Sequence, residues 1–136
     1  AIVQYLLARR GKGKFQPDVN DPSFPDYLQW LHYAEGSIMQ QVNTLVVETI
    51  LLPPEKKNEV NVKRATKLLG QILQTVEDRL STVKYLAGQF TAADIMSGHA
   101  VIMAAHHGID LNEKPNCQKY IDTLMSRPKL QKAWTL

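Results

Sequence analysis

Between residues 26 and 52 the apolar positions recur at steps of three and four: Tyr27, Leu31, Ala34, Ile38, Val42 and Leu45. That spacing lays them on one face of a long helix. Pro25 suits its start, and Pro53-Pro54 forces its end. Gly36 lies inside it, at a cost of about 1 kcal/mol relative to alanine, which points to close packing or a bend. The β-branched run "TLVVETI" weakens the pattern over 44–50, so a kink or an early end is expected there. Residues 56–83 predict a second long helix. Leu69, Ile72, Leu73, Val76 and Leu80 form its apolar stripe, and Lys63, Lys67, Gln71, Gln74 and Asp78 fall mostly on the other face. "KYLAGQ" reads as a turn. A third helix is expected over 92–106, closed by Gly108. Asn116 is placed to cap a fourth from Cys117 to Met125, and Pro128 to open a short last one ending near Trp134.

Upstream, Ile2, Tyr5, Leu6 and Arg9 keep helical spacing, Arg9 and Arg10 suit a helix C-terminus, and Gly11 stops it. The stretch 11–25, "GKGKFQPDVNDPSFP", carries two glycines, three prolines and three Asn/Asp residues, the composition of a linker. No alternating strand pattern competes anywhere. The expected fold is an all-α multi-helix bundle over 26–136, joined by the linker 11–25 to the end of a helix at 1–10.

Composition narrows the function classes. The 136 residues fit one domain, and 44% apolar with 21% charged is an ordinary globular balance. The net charge is +3, but the lysines and arginines are spread along the chain, so the concentrated patch of a nucleic-acid binder is absent. One cysteine, Cys117, permits no intrachain disulfide and fits a reducing, cytoplasmic compartment. No apolar run approaches the ~20 residues of a membrane span. The first residue is not methionine and the chain opens inside an apolar-periodic run, so it reads as a piece of something longer.

Four groups could carry chemistry. In "FTAAD", Thr91 and Asp94 fit a capping box, with Phe90 and Ile95 as its hydrophobic staple. A catalytic Thr/Asp pair would need a base and an oxyanion site that the sequence does not supply. His99 and His106, with Met103 between them, lie near one helix face, but this is neither the i, i+4 pair nor the three- or four-ligand set of a metal site, and no metal is expected. Cys117, just inside a helix N-terminus, could have a lowered pKa, though no CxxC partner exists. The stretch "YLQWLHYAEGSIM" places Tyr27, Trp30, Tyr33, Glu35 and Ser37 where not all can face one core. Some of these would line a pocket or an oligomer interface.

Together these residues resemble the helical C-terminal domain of cytosolic glutathione transferases. "AIVQYLLARRGKGKFQP" is similar to the last helix of that family's thioredoxin-like N-terminal domain running into the interdomain linker. "WLHYAEGSIM" resembles the first helix of the C-terminal domain, "YLAGQFTAADIM" its capping box and staple, and "KPNCQKYIDTLMSRPKLQKAW" its closing helices. The resemblance implies conjugation of glutathione, a co-substrate and not a cofactor, to an apolar electrophile by a homodimer. It also implies that the thiol-activating residue lies in a thioredoxin-like domain outside this sequence, so no catalytic residue is carried over and this chain alone is expected to be inactive. By position, Trp30, Tyr33, Ala34 and Ser37 are candidates for the electrophile wall, and Glu35 for the dimer interface near the glutathione of the other subunit. A different class of reading is a non-catalytic helical module for protein–protein assembly, because a fold does not fix a function.

Overall fold

The computed structural model describes residues 1–135. Seven α-helices follow in order: α1 (Ile2–Leu6), α2 (Phe24–Tyr33), α3 (Met39–Val46), α4 (Glu59–Leu80), α5 (Ala92–His106), α6 (Pro115–Met125) and α7 (Pro128–Trp134). The chain is all-α, and the expected bundle is what forms.

The long helix expected over 26–52 is one continuous rod with two wide π-helical turns. Ala34–Ile38 separates α2 from α3, and Val47–Leu51 follows α3. Both fall where the sequence showed weakness, at Gly36 and in the β-branched run. Gly36 is exposed, and a Cβ added there would meet nothing within 4 Å. Of the two readings of Gly36, the wide turn is what forms there, and close packing is not. The helix at the chain start also ends in a π turn, Leu7–Gly11, and Lys12 closes it in the left-handed region at φ 49°.

α5 runs through the centre. Ala92, Ala93, Ala100, Val101 and Ala104 are each fully buried, and the exposed positions Ile95, His99 and His106 keep to one stripe of the helix. It packs on α2, and the Ser97 hydroxyl donates to the Trp30 carbonyl across that contact. α3 and α4 pack as a hairpin, and α6 packs on α4 and α5. At Gly98 a Cβ would stand 2.4 Å from Leu124 Cδ1 and 3.2 Å from the Tyr120 hydroxyl, so glycine lets α5 and α6 approach. Arg79, near the end of α4, binds Asp26 in the first turn of α2 and donates from Nε to the Leu86 carbonyl.

The starts of α4 and α6 are satisfied from elsewhere in the chain. Asn58 Oδ1 accepts from Val60 N–H at 2.9 Å, while Glu48 accepts from Asn58 N–H at 2.8 Å and from the Asn61 side-chain amide at 2.6 Å. α6 begins at Pro115, so Asn116 lies inside it and is not its cap. Its first N–H groups point instead at Glu77 on α4, whose carboxylate accepts from Cys117 N–H at 2.8 Å, Asn116 N–H at 3.1 Å and the Asn116 side-chain amide at 2.7 Å. Burial opposes ionisation of Glu77 most strongly. The combined bonds from Cys117 and Asn116 outweigh it and hold the carboxyl below its ordinary 4.5. At Glu48 the bonds from Asn61 and Asn58 outweigh burial, and its pKa is lowered too.

Two predictions follow from this packing. Gly98→Ala should cost about 1–3 kcal/mol through overpacking against α6; an unchanged melting temperature would show that Leu124 yields without strain. Because the folded pKa of Glu77 lies below its unfolded value, its contribution is complete above the unfolded pKa and is lost as pH falls through the folded one. Glu77→Gln should therefore lower stability near neutrality and flatten its decline as pH falls from the unfolded carboxylate pKa through the lowered folded one, as read from denaturant unfolding at a series of pH values. An unaltered slope would remove Glu77 from the acid response.

Candidate functional site

The first π turn decides where the "WLHYAEGSIM" residues point. Trp30 and Ala34 are buried, at 3% and 1% exposure, and belong to the core. Tyr33 and Ser37, four positions apart, are half-buried at its margin. The rings of Trp30 and Tyr33 meet edge to face at 5.0 Å, and the Tyr33 hydroxyl reaches the Ile72 carbonyl at 3.4 Å. Tyr33 is thus braced on one side by the core and on the other by α4. Glu35 is exposed and stands at the rim of a cleft of about 560 Å³ between α1 and α2, where Ile2, Val3, Leu31, His32 and Met96 supply the walls. The structure divides the five residues: two inside, two at the margin, one on the rim. His32 on α2 and Met96 on α5 come to one cleft through the packing of α5 on α2, with α1 closing the other side, which no local pattern shows.

The start of α5 is built as the sequence predicts, with additions. Thr91 Oγ1 accepts from Ala93 N–H at 3.2 Å, and Asp94 Oδ2 accepts from Thr91 N–H at 2.8 Å. Beyond this local box, Asp94 Oδ1 accepts from Leu86 N–H at 3.0 Å and from the Tyr120 hydroxyl at 2.8 Å. The carboxyl is 1% exposed, and burial raises its pKa in spite of those bonds. Tyr120 is pushed well up, first by burial and then by the Asp94 charge. The Ala92 N–H donates to the Phe15 carbonyl at 2.7 Å, which ties the linker to the same helix start. Phe90 and Ile95 flank one apolar depression, and Ile95 remains 43% exposed.

Cys117 does not have the lowered pKa that its helix start suggests. Its thiol is fully buried, faces the Leu73 carbonyl at 3.8 Å and lies beside the Glu77 carboxylate; burial first, then Glu77, push it up to about 12. The helix start is already occupied by a negative charge. His99 lies against Trp134 and His106 against His107, and no three His, Cys, Asp or Glu residues gather as a metal site among the described residues. None of the helices is long and apolar enough to cross a membrane among the described residues.

Removing the Asp94 carboxylate leaves three buried donors on Thr91, Leu86 and Tyr120. Asp94→Ala should therefore destabilise the fold by about 3 kcal/mol or more, seen as a large fall in the unfolding midpoint. A near-native midpoint would mean that water replaces the carboxylate without cost.

Comparison with known proteins fits this architecture. The sequence model of the family described as "Glutathione S-transferase, C-terminal domain" matches residues 39–128. Glutathione S-transferase F13 of Arabidopsis thaliana is 31% identical over 140 residues, covering 97% of this chain and 64% of that protein. Glutathione S-transferase GstB of Escherichia coli is 22% identical over 133 residues, with the same two coverages, 97% and 64%. The crystal structure of the glutathione transferase URE2P8 from Phanerochaete chrysosporium with oxidized glutathione superposes with a TM-score of 0.85 at 22% identity, over 98% of this chain and 62% of that one, and so shares the fold. This chain spans about 64% of the length of the two relatives. With the family model covering more than half of the sequence and the same all-helical bundle formed, the chain belongs to the glutathione S-transferase C-terminal domain family.

Proposed function

We propose that this chain is the apolar half of an enzyme that conjugates glutathione to electrophiles. The observation that carries the reading is the family match over residues 39–128. In this reading residues 1–10 end the last helix of a thioredoxin-like domain, 11–25 link the two domains, and 26–136 form the helical domain. The thioredoxin-like part would bind glutathione and ionise its thiol with its own serine, tyrosine or cysteine. The helical part would hold the electrophile beside that thiol, so that proximity and orientation lower the barrier.

Tyr33 and Ser37 form the electrophile wall, with Trp30 and Ala34 as its buried backing. The half-buried, braced ring of Tyr33 supports this assignment, since a fixed apolar surface loses little freedom on binding. Glu35, exposed at the cleft between α1 and α2, faces the dimer interface near the partner's glutathione. The enzyme works as a cytoplasmic homodimer, and this chain alone is inactive.

In an enzyme that joins this chain to its thiol-activating domain, Tyr33→Ala should raise KM for an apolar electrophile by about tenfold, the scale of one lost aromatic contact, with KM for glutathione little changed. Equal losses for both substrates would count against the wall. Robust glutathione conjugation by the 136-residue chain alone would overturn the division of labour.

A further inference from the structure

A cavity of about 430 Å³ opens between the end of α4, the turn that follows it and α6. Its size falls near the lower end of the range for small-molecule sites, about 300–1,000 Å³. None of Trp30, Tyr33, Ala34, Glu35 or Ser37 lines it. Its two charged side chains, Lys84 on the turn and Lys119 on α6, are both cations. Among the described residues the ion pairs are Lys63–Glu59 and Arg79–Asp26, so no carboxylate neutralises either lysine. Lys84 Nζ lies 5.6 Å from the centre of the Tyr85 ring, a cation–π contact that keeps it beside the turn. Asn116 also lines the space, and the Glu77 carboxylate that it binds has both oxygens engaged by Asn116 and Cys117.

The neutral polar groups of the cavity have a fixed sense. A hydroxyl has one proton to donate. Ser81 donates its proton to the Asp78 carbonyl at 2.7 Å, Thr82 to the Arg79 carbonyl at 3.0 Å and Thr123 to the Lys119 carbonyl at 2.8 Å. These three oxygens can meet a ligand only as acceptors. The donors left are the two ammonium groups and the backbone of the turn. The N–H groups of Val83 and Lys84 meet no acceptor among the described residues. Successive free N–H groups in a turn favour an anion. Two lysines suit a phosphate, because each acts as a point charge and a phosphate monoester carries about −1.5 to −2 at pH 7. A carboxylate carries a single charge and matches the arginine fork better. The three acceptor oxygens ask for a ligand that also brings hydroxyl donors.

We infer that this cavity binds a sugar phosphate, its phosphate on Lys84, Lys119 and the turn N–H groups and its hydroxyls on Ser81, Thr82 and Thr123. The inference does not rest on the conjugation reading. The probe is glucose 6-phosphate, titrated into the isotope-labelled 136-residue chain and followed by amide NMR shifts, with glucose and inorganic phosphate as its two halves. Saturable binding is expected with a Kd of about 1 mM or tighter, and with the largest shifts at the Val83 and Lys84 amides. Inorganic phosphate should bind the same amides more weakly by about fivefold, the scale of one neutral hydrogen bond, and glucose should not saturate. Lys84→Gln and Lys119→Gln should each weaken glucose 6-phosphate by about fivefold, the upper range of an exposed charge pair. Both side chains are exposed, so these variants keep the fold. Thr123→Val should weaken glucose 6-phosphate and leave inorganic phosphate within about twofold, because only the sugar uses that oxygen. Equal affinity for glucose 6-phosphate and either half would overturn the assignment. So would affinity unchanged in both lysine variants, shifts centred away from the turn and α6, or no saturation up to about 10 mM, ten times the weakest expected Kd.

Discussion

Three buried carboxylates hold this bundle together, each set against the first N–H groups of a helix. Asp94 serves α5, Glu77 serves α6, and Glu48 closes the start of α4. A helix start leaves unpaired donors and a partial positive charge, so a carboxylate there removes two costs at once. Asp94 and Glu77 do more than cap. Asp94 also gathers the Leu86 N–H and the Tyr120 hydroxyl, and Glu77 reaches from α4 to α6. No buried side-chain polar atom among the described residues is left without a partner. The relative placement of α4, α5 and α6 is therefore fixed by polar contacts as well as by apolar packing.

The two kinds of carboxylate respond to pH in opposite directions. Bonds dominate around Glu77 and Glu48 and favour the charged form, so the native state loses their support in acid. Burial dominates around Asp94, whose folded pKa is raised, so its contribution declines as pH rises from its unfolded pKa through its folded one. The half-exposed side chains lie outside this fixed centre. Tyr33 and Ser37 stand on or beside a wide turn of the α2–α3 rod, and Phe15 and Arg127 each pack on Phe90 at the seam between linker and bundle. Both places offer a partly exposed aromatic ring, Tyr33 or Phe15, whose position is held by contacts with the bundle.

Legibility in the sequence tracked the distance between partners. The box at α5 was readable because Thr91 and Asp94 are three residues apart and their roles follow from position alone. The cap of α6 was misassigned to Asn116 because the true acceptor, Glu77, lies 39 residues away. One signal was available: Leu73, Glu77 and Leu80 share the spacing of the buried stripe, and a charged residue on such a stripe needs donors. Leu45 and Glu48 repeat it on the preceding rod. The pKa of Cys117 was hidden for the same reason. Its helix start would lower a thiol pKa, but a carboxylate from another helix occupies that start and reverses the sign.

The sequence by itself determined the helices, their approximate ends, the all-α class and the family, because apolar period, prolines and caps act within a few residues of one another. Only the tertiary structure decided that Trp30 joins the buried stripe while Tyr33 stays at its margin, what caps α6, and which residues share a cleft. Those outcomes depend on contacts between segments tens of residues apart, such as Ser97 with Trp30, Glu77 with Cys117, and Phe15 with Ala92. A helix pattern specifies which face is apolar. It does not specify the neighbour that will cover it.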